Sequence, residues 1–269
     1  MKKIILSLVL TMTSIMNISA SELNSSAYWE GLKSGVTYFY QGSYEQFRAK
    51  NNIYWAAAAA PSIWYSFEED KRITNHERTK NIPKYMQIAS DLAPALSFPL
   101  IPIAFFSYGV KKDNPRAVEF AKETFATMYL ALVESAAISV VHIHERPEKS
   151  KLSKWETNFR GSSSYPSGHV IPYAALALKT LQFYGPYYAS VPAAVFVVTS
   201  IQRVRDGKHY FSDVVGAFFL TAFASEGVRK AAQSQNSSSL AYKLLFDHGL
   251  NIGYIQHEGA IGPRIGLNW

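Results

Sequence analysis

Arg203, His209 and Asp213 stand six and four residues apart in a chain of 269 residues. In a helix, positions i and i+4 share a face, so the Asp213 carboxylate can hold one ring nitrogen of His209. That contact fixes the tautomer and leaves the other nitrogen as a nucleophile. Upstream, Tyr165-Pro166-Ser167-Gly168-His169 makes a turn that opens into an apolar stretch. Backbone N–H groups at such an entry bind anions, with Ser167 and Gly168 as donors. His169 stands beside them, free to protonate a departing oxygen. Arg146-Pro147 closes an earlier helical stretch, so Arg146 and Arg203 bring two guanidiniums to helix ends. A guanidinium fork grips two phosphate oxygens at once. Together these residues make a cradle for a tetrahedral oxyanion, with a nucleophile and a proton donor in it. His142 and His144 lie on the stretch that ends at Arg146, where both read as polar helix residues.

The three clusters, in this order, resemble the type 2 phosphatidic acid phosphatase / vanadium haloperoxidase superfamily, whose pattern is K-x6-R-P, then P-S-G-H, then S-R-x5-H-x3-D. Arg146-Pro147 matches the end of the first block, Pro166 to His169 the whole second, and Arg203, His209 and Asp213 the third at its spacing. The resemblance covers roughly residues 88–228. It implies that His209 attacks phosphorus and carries a phosphohistidine intermediate, with Asp213 orienting it. It implies His169 as general acid for the leaving alcohol and then as base for water. Arg146, Arg203, Ser167 and the Gly168 N–H would hold the phosphoryl oxygens, and no metal or other cofactor is expected. Two positions depart from the pattern. Ser139 stands where the family has lysine, and Gln202 where the third block has serine. On an ideal helix Ser139, His142 and Arg146 fall on one face. A protonated His142 is therefore expected to replace part of the missing charge.

These residues need helices to carry them. Ala117 to Ile143 has helical character and leads to Arg146; His169–Phe183, Pro186–Gln202 and Tyr210–Ala224 are three further apolar stretches. Gly185-Pro186 and Asp206-Gly207 separate them. Ile53–Phe67 is short for a membrane span, residues 68–87 are charged, and Leu92–Val110 is uncharged for 19 residues but holds three prolines. Residues 21–52 show no strong period. Leu250 to Trp269 alternates around glycines, as a short β-hairpin does. The expected fold is all-α, a bundle of about six helices, partly membrane-embedded, with that hairpin at the end. Four segments are expected: a signal peptide at 1–20, an N-terminal periplasmic or interfacial segment at 21–87, a catalytic domain at 88–230, and a tail at 231–269. The signal rests on Lys2 and Lys3, an apolar run to Met16, and the small-residue site Ile18-Ser19-Ala20.

Composition sets the partners. Charged residues are only 17% against 48% hydrophobic and 14% aromatic, and the net charge is +7. The basic residues fall in short clusters with no stripe, which points to membrane-surface or anionic-substrate charges and away from nucleic acid. The absence of cysteine excludes disulfides and thiolate chemistry and suits an oxidising compartment. A basic turn at 111–116 and Arg229-Lys230 place the expected site on the periplasmic side of a bacterial inner membrane, after five crossings. The expected partners are a lipid phosphate substrate and a membrane, with no obligate protein partner. The expected activity is metal-independent hydrolysis of lipid phosphates such as phosphatidic acid, isoprenyl pyrophosphate or lipid A phosphate. The alternatives are a soluble periplasmic acid phosphatase, a vanadate haloperoxidase and an inactive membrane scaffold.

Overall fold

The structure, a computed structural model, describes residues 25–148, 163–234, 239–247, 249–257 and 260–268. The expected signal segment lies outside them, as does most of the polar loop before Tyr165. The described helices are α1 (Ser25–Glu45), α2 (Asn51–Arg78), α3 (Lys84–Leu96), α4 (Leu100–Lys111), α5 (Pro115–Val140), α6 (Ile171–Tyr184), α7 (Pro186–Arg205) and α8 (Phe211–Ala231). A short helical turn, Leu240–Tyr242, follows.

The packed part is all-α, but it has more helices than the six expected. Residues 21–52, which showed no period, form α1. Ile53–Phe67 and the charged stretch behind it are one helix, α2. Its end is supported by acid–base pairs one turn apart, such as Arg72–Glu69. The proline-rich stretch breaks at Ser97–Pro99 into α3 and α4, which are bent by 65°. α5 starts where Asn114 caps it, accepting from the Ala117 N–H at 3.0 Å, with Pro115 in the first turn. It ends at Val140, three residues before the expected Ile143. The β-branched run Val140-Val141 and the antiparallel bridge between Glu145 and Ser163 draw the chain out into an extended strand-like path. The helical face that was to join Ser139, His142 and Arg146 is therefore interrupted.

α8 is the central helix. It packs against α1, α2, α5 and α6, and its Val214, Ala217, Ala224 and Val228 share one apolar core with Ala126, Leu130, Val170 and Val204. Small residues let its neighbours come close. A Cβ on Gly227 would collide with the Gly42 carbonyl of α1, so that crossing needs a glycine. α1 is built the same way round: Gly35 and Gly42 are its buried residues, whereas Trp29, Leu32, Val36 and Tyr40 face outward.

By length and composition, α8 is the one described helix long and apolar enough to cross a membrane, and 72% of its apolar window is buried inside the protein. The bent pair α3–α4 passes only when taken together. That is one or two candidate spans where five were expected. α5 carries Arg116, Glu119, Lys122, Glu123 and Glu134, and α6 has only 14 residues. Beyond the helices, the backbones of Gly249–His257 and Ala260–Asn268 run antiparallel, Gly249 opposite Asn268. This ribbon has no share in the helical core, and the expected hairpin remains an expectation with no part in the fold class.

Candidate active site

The third block is held by the turn between α7 and α8. Gly207 takes φ +67° in that turn, and the His209 N–H donates to the Arg203 carbonyl at 3.3 Å. α8 then begins at Phe211, with Asp213 in its first turn. One Asp213 oxygen, Oδ2, accepts from the Tyr210 N–H at 2.8 Å and meets His209 Nδ1 at 3.1 Å. The Ser164 carbonyl also lies 3.0 Å from His209 Nδ1. A carbonyl only accepts, so Nδ1 carries the proton and Nε2 keeps its lone pair. The ring is 1% exposed.

The second block is tied to the third. The Ser167 N–H donates to the Asp213 carbonyl at 3.0 Å, and the Ser135 hydroxyl donates to the Pro166 carbonyl at 3.4 Å. Ser167 Oγ is buried with no hydrogen-bond partner among the described residues. Such a hydroxyl is costly unless a ligand oxygen answers it. Gly168 and His169 lie in a single 3-10 turn before α6, half-buried.

The first block is brought in by the extended segment after α5. The Ser164 N–H donates to the His144 carbonyl at 3.1 Å, and the Glu148 N–H to the Gly207 carbonyl at 3.1 Å. Arg146 is buried, as is Arg203, and the Arg146 charge acts on Asp213. Ser139, where the family has lysine, is buried and returns its hydroxyl to the Ala136 carbonyl of its own helix at 2.7 Å. His142 lies past the end of α5 with its side chain exposed, off the face that was expected to bring it to Arg146. Gln202 is buried, its Oε1 without a partner among the described residues.

Four residues outside the expected set complete the surroundings of Asp213. Its other oxygen, Oδ1, lies 3.3 Å from Ser164 Oγ and 3.4 Å from His144 Nε2. His144 Nδ1 lies 2.7 Å from Ser164 Oγ, and Nε2 lies 3.1 Å from Ser212 Oγ. Asp70 of α2 closes the group, accepting from the Ser212 N–H at 2.7 Å and from its hydroxyl at 2.5 Å. Burial pushes the Asp213 carboxyl up to about 8; the Tyr210 N–H, the Ser164 hydroxyl and Arg146 oppose this and Asp70 adds to it. Burial also raises Asp70, against its bonds from Ser212 and the nearby His144. For His144 burial acts downward and Asp70 upward, and the net direction is down.

Residues 124–236 match the family model of the PAP2 superfamily. Over that segment the chain is similar to the PAP2 superfamily. No curated protein and no solved structure matches the chain. The matched segment contains all three blocks and every residue singled out for the cradle. It does not contain Asp70, which comes from α2. α2 also braces the turn of the third block: Glu77 accepts from Arg205 Nε at 2.8 Å, and Arg78 pairs with Glu148 at 3.1 Å. His144 stands in view in the sequence but reads there as a polar helix residue. Asp70, Ser164 and Ser212 carried no signal of their own.

Proposed function

We propose that the chain is a metal-independent phosphatase acting on lipid phosphates through a phosphohistidine. The observation that carries this reading is the state of His209: its Nδ1 proton is held by a carbonyl and a carboxylate, which puts the nucleophilic lone pair on Nε2. Nε2 forms a bond to phosphorus as the bond to the leaving oxygen breaks, and His169 gives that oxygen its proton. Water then attacks the phosphohistidine, His169 takes the water's proton, and inorganic phosphate leaves. Arg146 and Arg203 balance the charge on the phosphoryl oxygens, with Ser167 Oγ and the Gly168 N–H as further donors. His142, exposed and off the α5 helix, is given no role in this mechanism.

The lipid substrate class rests on the outward apolar surface. α1 buries glycines and turns Trp29, Leu32, Val36, Tyr40 and Tyr44 outward, and Phe47 just beyond it is exposed too, the arrangement of small residues inside and large apolar residues outside that suits lipid contact. Phe98 and Tyr108 of the bent α3–α4 region are exposed as well. The protein would then work in the cell envelope, exported by its N-terminal signal, with the site towards the periplasm. A soluble acid phosphatase is the second reading, favoured by the interior position of α8. Retention on membranes through a high-salt or carbonate wash separates the two.

The test is phosphate release, with EDTA present, from a lipid phosphate, an isoprenyl pyrophosphate and a soluble aryl phosphate. Wild type should turn over the lipid substrates, and His209→Ala should release none. Full activity of His209→Ala would end the phosphohistidine reading.

A further inference from the structure

We propose that His144, backed by Asp70, is a positioning residue that keeps Asp213 ionised, so that Asp213 can hold His209 in its attacking tautomer. The inference rests on the phosphohistidine reading above and adds to it residues that the three blocks do not include. The geometry gives a continuous donor path. A protonated His144 donates from Nδ1 to Ser164 Oγ at 2.7 Å, and Ser164 donates onward to Asp213 Oδ1 at 3.3 Å. From Nε2 it donates to Ser212 Oγ at 3.1 Å, and Ser212 donates onward to Asp70 Oδ2 at 2.5 Å. Each serine hydroxyl receives one hydrogen and gives one. Each carboxylate receives one hydrogen through a serine, and the imidazolium ring gives two. With a neutral His144, only one ring nitrogen donates and one of the two paths fails.

The path matters because Asp213 is buried, and burial drives a proton onto it. A protonated Asp213 could donate to His209 Nδ1, and the His209 proton would move to Nε2, where the lone pair is needed. His144 Nε2, 3.4 Å from Asp213 Oδ1, is the nearby base that can take that proton. Burial of the ring works against the resulting cation and Asp70, 3.7 Å from the same nitrogen, works for it. On this proposal the two donor paths, which only the cation completes, decide for the cation. The other groups facing His144 leave it this role. Tyr210 presents its ring edge-on at 4.7 Å, and Tyr165 lies at 6.3 Å. Burial raises both tyrosines further, so both stay neutral. Glu145 is its chain neighbour, and the Arg146 charge acts on Asp213. Asp70 is therefore placed to do two things: it caps the first turn of α8 through the Ser212 N–H, and it anchors the far end of the donor path.

The experiment is the pH dependence of kcat and KM for a soluble aryl phosphate and a lipid phosphate, in wild type, His144→Gln, Asp70→Asn, the double variant and His209→Ala. His144→Gln should move the acid limb of kcat upward by about one pH unit or more. Activity should fall about tenfold on that limb, with KM little changed and near-wild-type kcat on the alkaline side. Asp70→Asn keeps one oxygen to accept from the Ser212 N–H and removes the charge together with the second oxygen, the acceptor of the Ser212 hydroxyl. It should move the limb in the same direction, and the double variant should fall no further than His144→Gln alone. An unchanged acid limb in His144→Gln overturns the proposal, as does an equal loss at every pH, which is what mispacking alone would give. Additive losses in the double variant overturn it too. Phosphate release that survives in His209→Ala strikes the phosphatase reading itself, whatever His144 does.

Discussion

Lys179 of α6 has no exposed surface, and its Nζ lies 2.7 Å from Glu123 Oε2 of α5, 2.8 Å from Gln182 Oε1 and 2.9 Å from the Ser225 carbonyl of α8. Replacing Lys179 with Met keeps the length and apolar stem and removes the charge. The fully buried Glu123 is then left without a counter-charge, and its Oε1 already lacks a hydrogen-bond partner among the described residues. Breaking one side of such a pair costs about 3–5 kcal/mol. Gln182 and Ser225 also lose their shared donor, so the upper half of that range is expected. At about 2–4 °C per kcal/mol for a domain of this size, Tm should fall by roughly 10 °C. Glu123→Gln added to Lys179→Met removes the orphaned charge and should recover about 2 kcal/mol. The assay is urea or thermal unfolding of the four proteins of this cycle under one set of conditions. A loss below about 1 kcal/mol in Lys179→Met, or losses that add within about 0.5 kcal/mol, would refute the reasoning.

Two further outcomes follow from particular contacts. A Cβ on Gly216 would run into the Tyr165 ring, so Gly216→Ala should cost about 1–3 kcal/mol in unfolding and lower kcat, since Tyr165 leads directly into the Pro166–His169 turn. Burial raises Glu134 to about 7, against a hydrogen bond from Gln46. Its folded pKa lies above its unfolded one, so its contribution is complete below about 4.5 and lost as pH rises through 7. Glu134→Gln should therefore melt higher than wild type at pH 8 and differ little at pH 4, which a Tm series across pH would show.

The chemistry of the site was more legible in the sequence than the fold around it. Spacing alone put Asp213 beside His209, although only Asp213 lies within a helix and His209 sits in the turn before it. The Ser167–Gly168–His169 turn was readable because its residue types have few other uses in that order. α1 and α2 were harder to read, for a physical reason. A search for an apolar stripe looks for large side chains on the buried face. α1 buries Gly35 and Gly42, and α2 buries Ala59, Ser66, Asp70 and Thr74, while large side chains such as Trp29, Tyr40, Trp64 and Tyr65 point outward. The end of α5 was misjudged because the pull on it is not local: it comes from the pairing of Glu145 with Ser163, eighteen residues on. Asp70 was invisible because its partners, His144 and Ser212, lie more than 70 residues away along the chain.

α2 touches α8 near both of its ends. Asn51 donates to Glu226 at 3.1 Å near the end of α8, and Asp70 accepts from Ser212 at its start. α2 is thus a ruler laid against the helix that carries Asp213. Adding or removing one residue between Asn51 and Asp70 would turn one contact about 100° away from the other. The number of residues between these two marks is fixed by the distance they measure.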